Sequence, residues 1–310
     1  MQKRHTDRKM YFHDLEITSK EFYVSYLSTF KKLTSKSRVL EVGCGEGGNL
    51  VPFAQLGCRV TGIDIAECRI IDAKAYFSEI CENATFVCCD FMKYHAPINE
   101  EEKFDVILLH DVIEHVPAKG KFLLHLKSFL KSTGVLFVGF PAWQMPFGGH
   151  QQICRSKLCS HFPFIHLLPN SMYNSLLKLC KEEEGTISEL MSIKECRTSI
   201  ELFEKLIKRC EFSVVDKKFW FINPHYKQKF QLTPSLLPRF AWKIKYARNF
   251  FTTSCWYILN LSNRKSNRFT TLDKGNIIIV VCGVSDYIFY SNCYIKLRTI
   301  INDIVMSKFK

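Results

Sequence analysis

Among the 14 cysteines of this 310-residue chain no Cys-x-x-Cys pair occurs, so the common zinc spacing is missing. Several of the cysteines sit inside apolar runs, where a thiol behaves as a small hydrophobe, and the pattern reads as reduced thiols in a cytoplasm. The opening stretch, MQKRHTDRKMYFHD, is charged and lacks the apolar centre of a secretory leader. The longest clean apolar run, 277–284, is far short of the ~20 residues that a membrane-spanning helix needs. Internal repeats are missing too. What is present is ordinary globular usage, 47% hydrophobic and 24% charged, which excludes a disordered or fibrous chain.

Acidic charge is scarce overall and concentrated in one place. The net charge is +13, yet residues 39–150 sum to −5, while 1–38, 151–260 and 261–310 sum to +5, +8 and +5. The basic character therefore lies outside the stretch that carries the chemistry. It reads as a solvated surface more than as a nucleic-acid footprint.

From 38 to 140 short β-rich runs alternate with helical patterns. The runs are 38–42, 59–65, 84–89, 104–110 and 134–140, and helices are expected over 50–56, 67–81 and 119–130. Gly57 and Gly134 stand where helices should stop. Such β-α-β-α alternation predicts a parallel sheet with helices on both faces. The polar 91–103 segment leaves room for a short helix at most. Ahead of the core, 15–33 reads as a helix lying on the sheet. Behind it, 141–169 is rich in Pro, Gly and His and has no clear period. Thr198-Ser199-Ile200-Glu201 has capping-box spacing before a helix through Cys210, and strands are expected at 212–222 and 250–261. The expected organisation is an N-terminal helical segment (1–37), a ligand-binding core (38–140), a cap insertion (141–197), a closing helix and two strands with an aromatic insertion (198–261), and an extension (262–310) with a β-like stretch at 276–290.

The first run ends in Glu41-Val42-Gly43-Cys44-Gly45-Glu46-Gly47-Gly48-Asn49. Glycines at a strand tip let a ligand approach the backbone. A dinucleotide's pyrophosphate is doubly negative and wants a helix N-terminus free of acids. Here Glu41 and Glu46 flank the loop, and they suit a ligand with positive charge, such as a sulfonium bearing an amino group. The second run ends at Asp64, where an acid takes the hydroxyls of a ribose. The third ends in Asp90-Phe91, an acid and an aromatic fit for an adenine.

Taken together, Glu41-Val-Gly43-Cys-Gly45-Glu-Gly47, Asp64, Asp90-Phe91 and Phe104-Asp105-Val106-Ile107 resemble the successive motifs of class I S-adenosylmethionine-dependent methyltransferases. The stretch 104–116, FDVILLHDVIEHV, is most similar to the ubiquinone-biosynthesis O-methyltransferases and their small-molecule relatives. The resemblance implies a doubly wound α/β Rossmann-like sheet of seven strands, the last antiparallel, with helical and aromatic cap insertions. It also implies S-adenosyl-L-methionine as cofactor. Glu41, Gly43, Cys44, Gly45 and Gly47 would surround its methionyl end, Asp64 and Ile65 its ribose, and Asp90 and Phe91 its adenine. The main-chain carbonyl of His110 would hold the methionyl amine.

Candidates for the chemistry follow the fourth strand. On a helical turn Asp111, Glu114 and His115 share one face, and two carboxylates with an imidazole can hold a divalent ion. Against that stands a purely structural role for Glu114 and His115 in orienting the loop. His150, on a glycine-flanked loop past the fifth strand, is a general-base candidate. No Asn/Asp-Pro-Pro-aromatic element, Pro-Cys pair or double-Glu hairpin is present, which disfavours adenine, cytosine and arginine methylation. A small-molecule acceptor with an oxygen nucleophile remains. The aromatic segments 141–174, with Trp143, Phe147, Phe162, Phe164 and Tyr173, and 219–246 suit an apolar acceptor or plain core packing, and a peripheral membrane contact is also open. Three competing readings are kept: an NAD(P)-dependent oxidoreductase, for which no Tyr-x-x-x-Lys pair exists, an RNA methyltransferase drawn by the basic surface, and a binding protein that keeps the pocket without chemistry.

Overall fold

The computed structural model describes residues 7–81, 83–262, 272–273 and 278–279. The chain alternates strands and helices in the expected order: α1 (Arg8–Thr18), α2 (Val24–Ser28), β1 (Arg38–Val42), α3 (Val51–Gln55), β2 (Arg59–Asp64), α4 (Glu67–Phe77), β3 (Ala84–Cys88), β4 (Phe104–His110), α5 (Lys119–Lys127) and β5 (Leu130–Phe140). The cap holds α6 (Lys157–His161), α7 (Asn170–Leu179) and α8 (Glu184–Cys196). Then come α9 (Ile200–Arg209), β6 (Phe212–Ile222), α10 (Tyr226–Phe230), β7 (Ser235–Leu236), α11 (Arg239–Trp242) and β8 (Ser254–Leu261).

The sheet runs β3-β2-β1-β4-β5-β8-β6-β7. β1 to β5 pair in parallel, and β8 lies antiparallel between β5 and β6. The eighth strand corrects the expected seven. It is β7, a two-residue edge pairing Trp220↔Leu236 and Ile222↔Ser235, too short to leave a period in the sequence.

Alternation along the strands divides the interior. Leu40, Val42, Ile107 and Leu109 face α5 and α9, whereas Val39, Val106 and Leu108 face α1 to α4. Both faces are covered, as a parallel sheet requires. A third, smaller core lies within the cap, around Tyr173, Leu177, Ile187 and Leu190.

Several boundaries differ from the expected ones for physical reasons. Gly134 stops no helix. It lies in a β5 irregularity where Leu130 pairs Phe104 and Val135 pairs Val106, and a Cβ there would meet the Phe104 carbonyl at 2.9 Å. Gly57 does follow α3 with φ +83°, the left-handed position glycine fills at low cost. The N-cap of α9 is Ser199, whose hydroxyl accepts from Leu202 N at 3.2 Å. Glu201 does not reach back. Its carboxylate accepts instead from Tyr246 N, Arg248 Nε and Asn249 Nδ2.

The N-terminal helix begins at Arg8 and contains a π turn, Ser19–Tyr23, between α1 and α2. Such turns often mark functional places. Here Ser19 Oγ donates to the Asn49 carbonyl at 2.7 Å. The helix lies so close to the loop that a Cβ on Gly48 would stand 2.3 Å from the Phe12 carbonyl.

Residues up to Ser262 form one unit, and 263–310 form another in which Leu272–Asp273 and Ile278–Ile279 pair antiparallel. The expected β-like stretch 276–290 lies otherwise outside the described residues. Among the described residues no helix is long and apolar enough to cross a membrane.

Candidate active site

In an open parallel sheet ligands bind outside the strand C-termini where strand order reverses. That point lies between β1 and β4, and the predicted residues gather there. After Val42 the chain turns through Gly43, Gly45 and Gly47, with φ of +73°, +54° and +84°, conformations that L-residues rarely adopt. The first turn leaves no room for a side chain, since a Cβ on Gly43 would sit 2.3 Å from Val112 Cγ2. The β1 loop and the β4 loop therefore touch.

Glu41 closes β1 and is 1% exposed. Asn49 Nδ2 donates to its Oε1 at 2.7 Å, while its Oε2 is buried with no hydrogen-bond partner. Burial pushes its carboxyl up to about 8, with Asn49 opposing and Asp64 adding to the rise. Glu46 is also buried, with Arg69 Nε 3.9 Å from its Oε1. Asp64 ends β2 and spans two turns: its Oδ2 accepts from Gly45 N at 2.8 Å and its Oδ1 from Ala66 N at 2.9 Å. Ile65 beside it is exposed and Cys44 is buried.

Asp90 Oδ1 accepts from Met92 N at 2.9 Å. The Phe91 ring departs from expectation. It packs on Phe122, His125 and Phe129 in the core and is 6% exposed, so it does not lie open to cover a ligand ring. Asp105, from the same motif set, stands at the opposite end of β4, bonded by Lys131 Nζ at 2.8 Å and Arg38 N at 3.0 Å. It is structural.

His110 is buried, and its Nε2 shares a 2.8 Å hydrogen bond with the Tyr23 hydroxyl. Tyr23 comes from the π turn of the N-terminal helix. In the sequence it reads only as one apolar position of that helix. Asn49, eight residues past Glu41, and Tyr23 are the two site residues that sequence reasoning missed. Asn49 closes the glycine motif and was open to inspection as a donor, whereas nothing local marks Tyr23.

Beyond β4, Asp111 takes φ +53° and its Oδ2 lies 3.6 Å from His110 Nδ1. It is not among the residues that could jointly hold an ion, although its charge acts on both Glu114 and His115. The turn Ile113–His115 instead presents Glu114 to two imidazoles: His115 Nε2 at 4.0 Å and His150 Nε2 at 3.9 Å from the same Oε1. The two rings meet edge to face, 4.9 Å between centroids. Glu114, His115 and His150 each offer one ligand atom, all within 4.8 Å of one another. The two sequence readings, a metal set without His150 and a base at His150, thus converge on one cluster that leaves Asp111 out.

Glu114 is 4% exposed, and neither carboxylate oxygen receives a donor from another residue. Burial, then Asp111, raises its carboxyl well above the ordinary range. Burial lowers His115, with Asp111 opposing. Lys119, whose Nζ donates to the carbonyls of Val116 and Cys196, ties this turn to the end of α8.

The aromatic segments divide. Trp143, Tyr173 and Trp220 are core residues, whereas Phe162, Phe221, Phe230, Phe240 and Tyr246 are exposed.

A family model described as a methyltransferase domain matches residues 33–195, more than half of the chain. A ubiquinone biosynthesis O-methyltransferase of Glaesserella parasuis serovar 5 (strain SH0165) is 38% identical over 105 residues, 33% of this chain and 44% of that protein. One from Bartonella tribocorum (strain CIP 105476 / IBS 506) is 33% identical over 123 residues, 38% of this chain and 49% of that protein. The chain thus spans about half the length of the curated relatives it matches. A solved structure from Galdieria sulphuraria, a candidate sarcosine dimethylglycine methyltransferase, superposes with a TM-score of 0.51 at 16% identity, covering 79% of this chain and 86% of that one. At that identity the likeness is one of fold.

Proposed function

Because this chain belongs to the methyltransferase-domain family, we propose that it transfers the methyl group of S-adenosylmethionine to an oxygen of a small-molecule acceptor. The observation that carries this reading is Glu41: a buried carboxylate with one orphaned oxygen, at the tip of a glycine loop that touches the loop of the Glu114 cluster. A buried carboxylate with an unmet oxygen costs free energy until a cationic donor reaches it, and the cofactor's ammonium is such a donor. The names of the curated relatives support oxygen as the nucleophile.

When bound, the cofactor supplies an electrophilic methyl on a sulfonium. The chain's own residues do the rest. Glu41 ionises to meet the ammonium. Asp64, already anchored by two main-chain amides, meets the ribose hydroxyls, and Ile65 offers exposed apolar surface beside them. Tyr23 and His110 fasten the N-terminal helix to the end of β4 and so shelter the site from water. His150 accepts the proton that a hydroxyl nucleophile must lose, and Glu114 beside it stabilises the imidazolium that results. The resembling quinone methyltransferases favour a second reading: Glu114, His115 and His150 fit one divalent ion by ligand type and mutual distance.

Two partner readings extend this one. The exposed Phe230, Phe240 and Tyr246 share their insertion with Lys227, Lys229, Lys243 and Lys245, a composition that supports a peripheral membrane contact. All described cysteines are free, which supports a cytoplasmic setting.

The test is incubation with methyl-tritiated S-adenosylmethionine and fractionated cell extract. Label should pass to a small, extractable product and stay off RNA and protein. Tight donor binding with no transfer to any fraction would sink the enzymatic reading and leave a binding protein. A chelator that abolishes transfer while binding survives would select the metal version over the base.

A further inference from the structure

The cap holds a second cluster that the proposed chemistry does not use. Cys154, Cys159 and Glu182 are buried, and one ligand atom from each lies within 4.8 Å of the others. Cys180 packs against the same small core that holds Cys154 and Cys159. In sequence the set reads Cys-x4-Cys-x20-Cys-x-Glu. That spacing matches no standard finger. The fold assembles it from the residue after the Gln151–Ile153 turn, the middle of α6 and the segment that leaves α7.

Buried thiols alone need no ligand, because cysteine packs as a small hydrophobe. The carboxylate changes the balance. Glu182 accepts from Arg155 N at 2.9 Å and Ser156 N at 2.8 Å. Among the described residues no Lys, Arg or His side chain pairs with it, and the neighbouring Arg155 guanidinium turns to Glu183 at 2.7 Å. A buried carboxylate beside three thiols with no countercharge is a costly arrangement that a cation relieves. Thiolates select soft or borderline ions, and a carboxylate in the same four-fold set favours zinc over copper(I).

We propose that Cys154, Cys159, Cys180 and Glu182 form a closed, structural zinc site in the cap. Binding breaks three S–H bonds, forms three Zn–S bonds and one Zn–O bond, and releases three protons; no electron moves. Tetrahedral Zn–S bonds of ~2.3 Å put the sulfurs about 3.8 Å apart, so the ligand atoms of Cys154, Cys159 and Glu182 need contract by about an ångström from their 4.8 Å limit, with Cys180 drawn in from beside them. With four protein ligands no position is left for a substrate, which separates this site from the Glu114 cluster. Cys154 lies four residues past His150, so the ion also fixes the loop that carries that imidazole.

The experiment uses the full chain, purified under reducing conditions, loaded with zinc and dialysed. Elemental analysis should find one zinc per chain that His150→Ala retains and Cys159→Ala loses. Cobalt(II) in place of zinc should give the near-ultraviolet charge-transfer band of thiolate ligation in the unmutated chain, a readout that needs no variant to fold. A cobalt-loaded chain without that band would overturn the site. So would Cys159→Ala and Cys180→Ser chains that keep it, or a disulfide among these cysteines in the reduced, metal-free protein.

Discussion

Two buried carboxylates stand near the C-terminal ends of the neighbouring strands β1 and β4, 1% and 4% exposed, and their surroundings are unlike. Glu41, the last residue but one of β1, keeps one oxygen satisfied by Asn49 and the other open. Glu114 after β4 has neither oxygen satisfied and faces two imidazoles at 3.9 and 4.0 Å. The first arrangement is a half-filled socket for a cationic donor. The second suits proton movement or a metal. On the proposed function, holding the cofactor and handling the acceptor would be separated by how each acid is partnered, since burial alone would raise both.

The comparison breaks first at the loop that serves the Glu41 side. Gly45→Val forces a β-branched residue into a left-handed turn, at a strain of about 1–3 kcal/mol, and sets its Cβ 3.2 Å from the Arg69 guanidinium. S-adenosylhomocysteine binding by calorimetry should fall about a hundredfold or more while the circular dichroism of the fold persists. On the other side, His150→Ala should cut turnover by roughly 10²-fold with the donor affinity unchanged. A parent-like rate would mean that positioning alone drives transfer.

Asp64 sharpens the donor side. Removing its charge as Asp64→Asn spares its shape, and should cost donor binding roughly 1.5–3 kcal/mol. Asp64→Ala would also release Gly45 N and Ala66 N and is expected to lose more.

The last effect is read on stability and not on turnover or donor binding, as a dependence on pH. Below about 4.5 Glu41 is protonated in the folded and the unfolded chain alike, and it costs nothing. Between there and about 8 the unfolded chain ionises while the folded one keeps its proton. Stability from this group therefore falls as pH rises, by up to about 1.4 kcal/mol per pH unit, and levels off above about 8. Denaturant melts of Glu41→Gln should lack that slope. The ligand should oppose it, binding more tightly as pH rises towards 8.

These acids differ in how far the sequence revealed them. Glu41, Asp64 and Asp90 close consecutive strands whose alternation and β-rich runs are local properties, so both strands and acids were legible. β1, β4 and β6 fall where the runs placed them. The Glu114 cluster was legible only in part. Its turn was visible, but His150 lies 36 residues away and meets Glu114 only because the cap folds back over β4. The same holds for Cys159 with Cys180 and Glu182, and for Tyr23 with His110. The π turn that aims Tyr23 has no periodic signature, and β7 is too short to have one. The side to which the Phe91 ring turns was not legible, because an aromatic after a strand-end acid reads alike whether its ring faces a ligand or, as here, Phe122, His125 and Phe129.

The most direct test is a paired measurement on Glu41→Gln and Glu114→Gln, with S-adenosylhomocysteine affinity and methyl-transfer rate read on each. The account predicts that Glu41→Gln binds at least about tenfold more weakly and loses the rise of affinity with pH, while Glu114→Gln binds as the parent does but turns over roughly 10²-fold more slowly. Parent-like binding by Glu41→Gln, or loss of donor binding in Glu114→Gln, would contradict the division of labour between the two carboxylates.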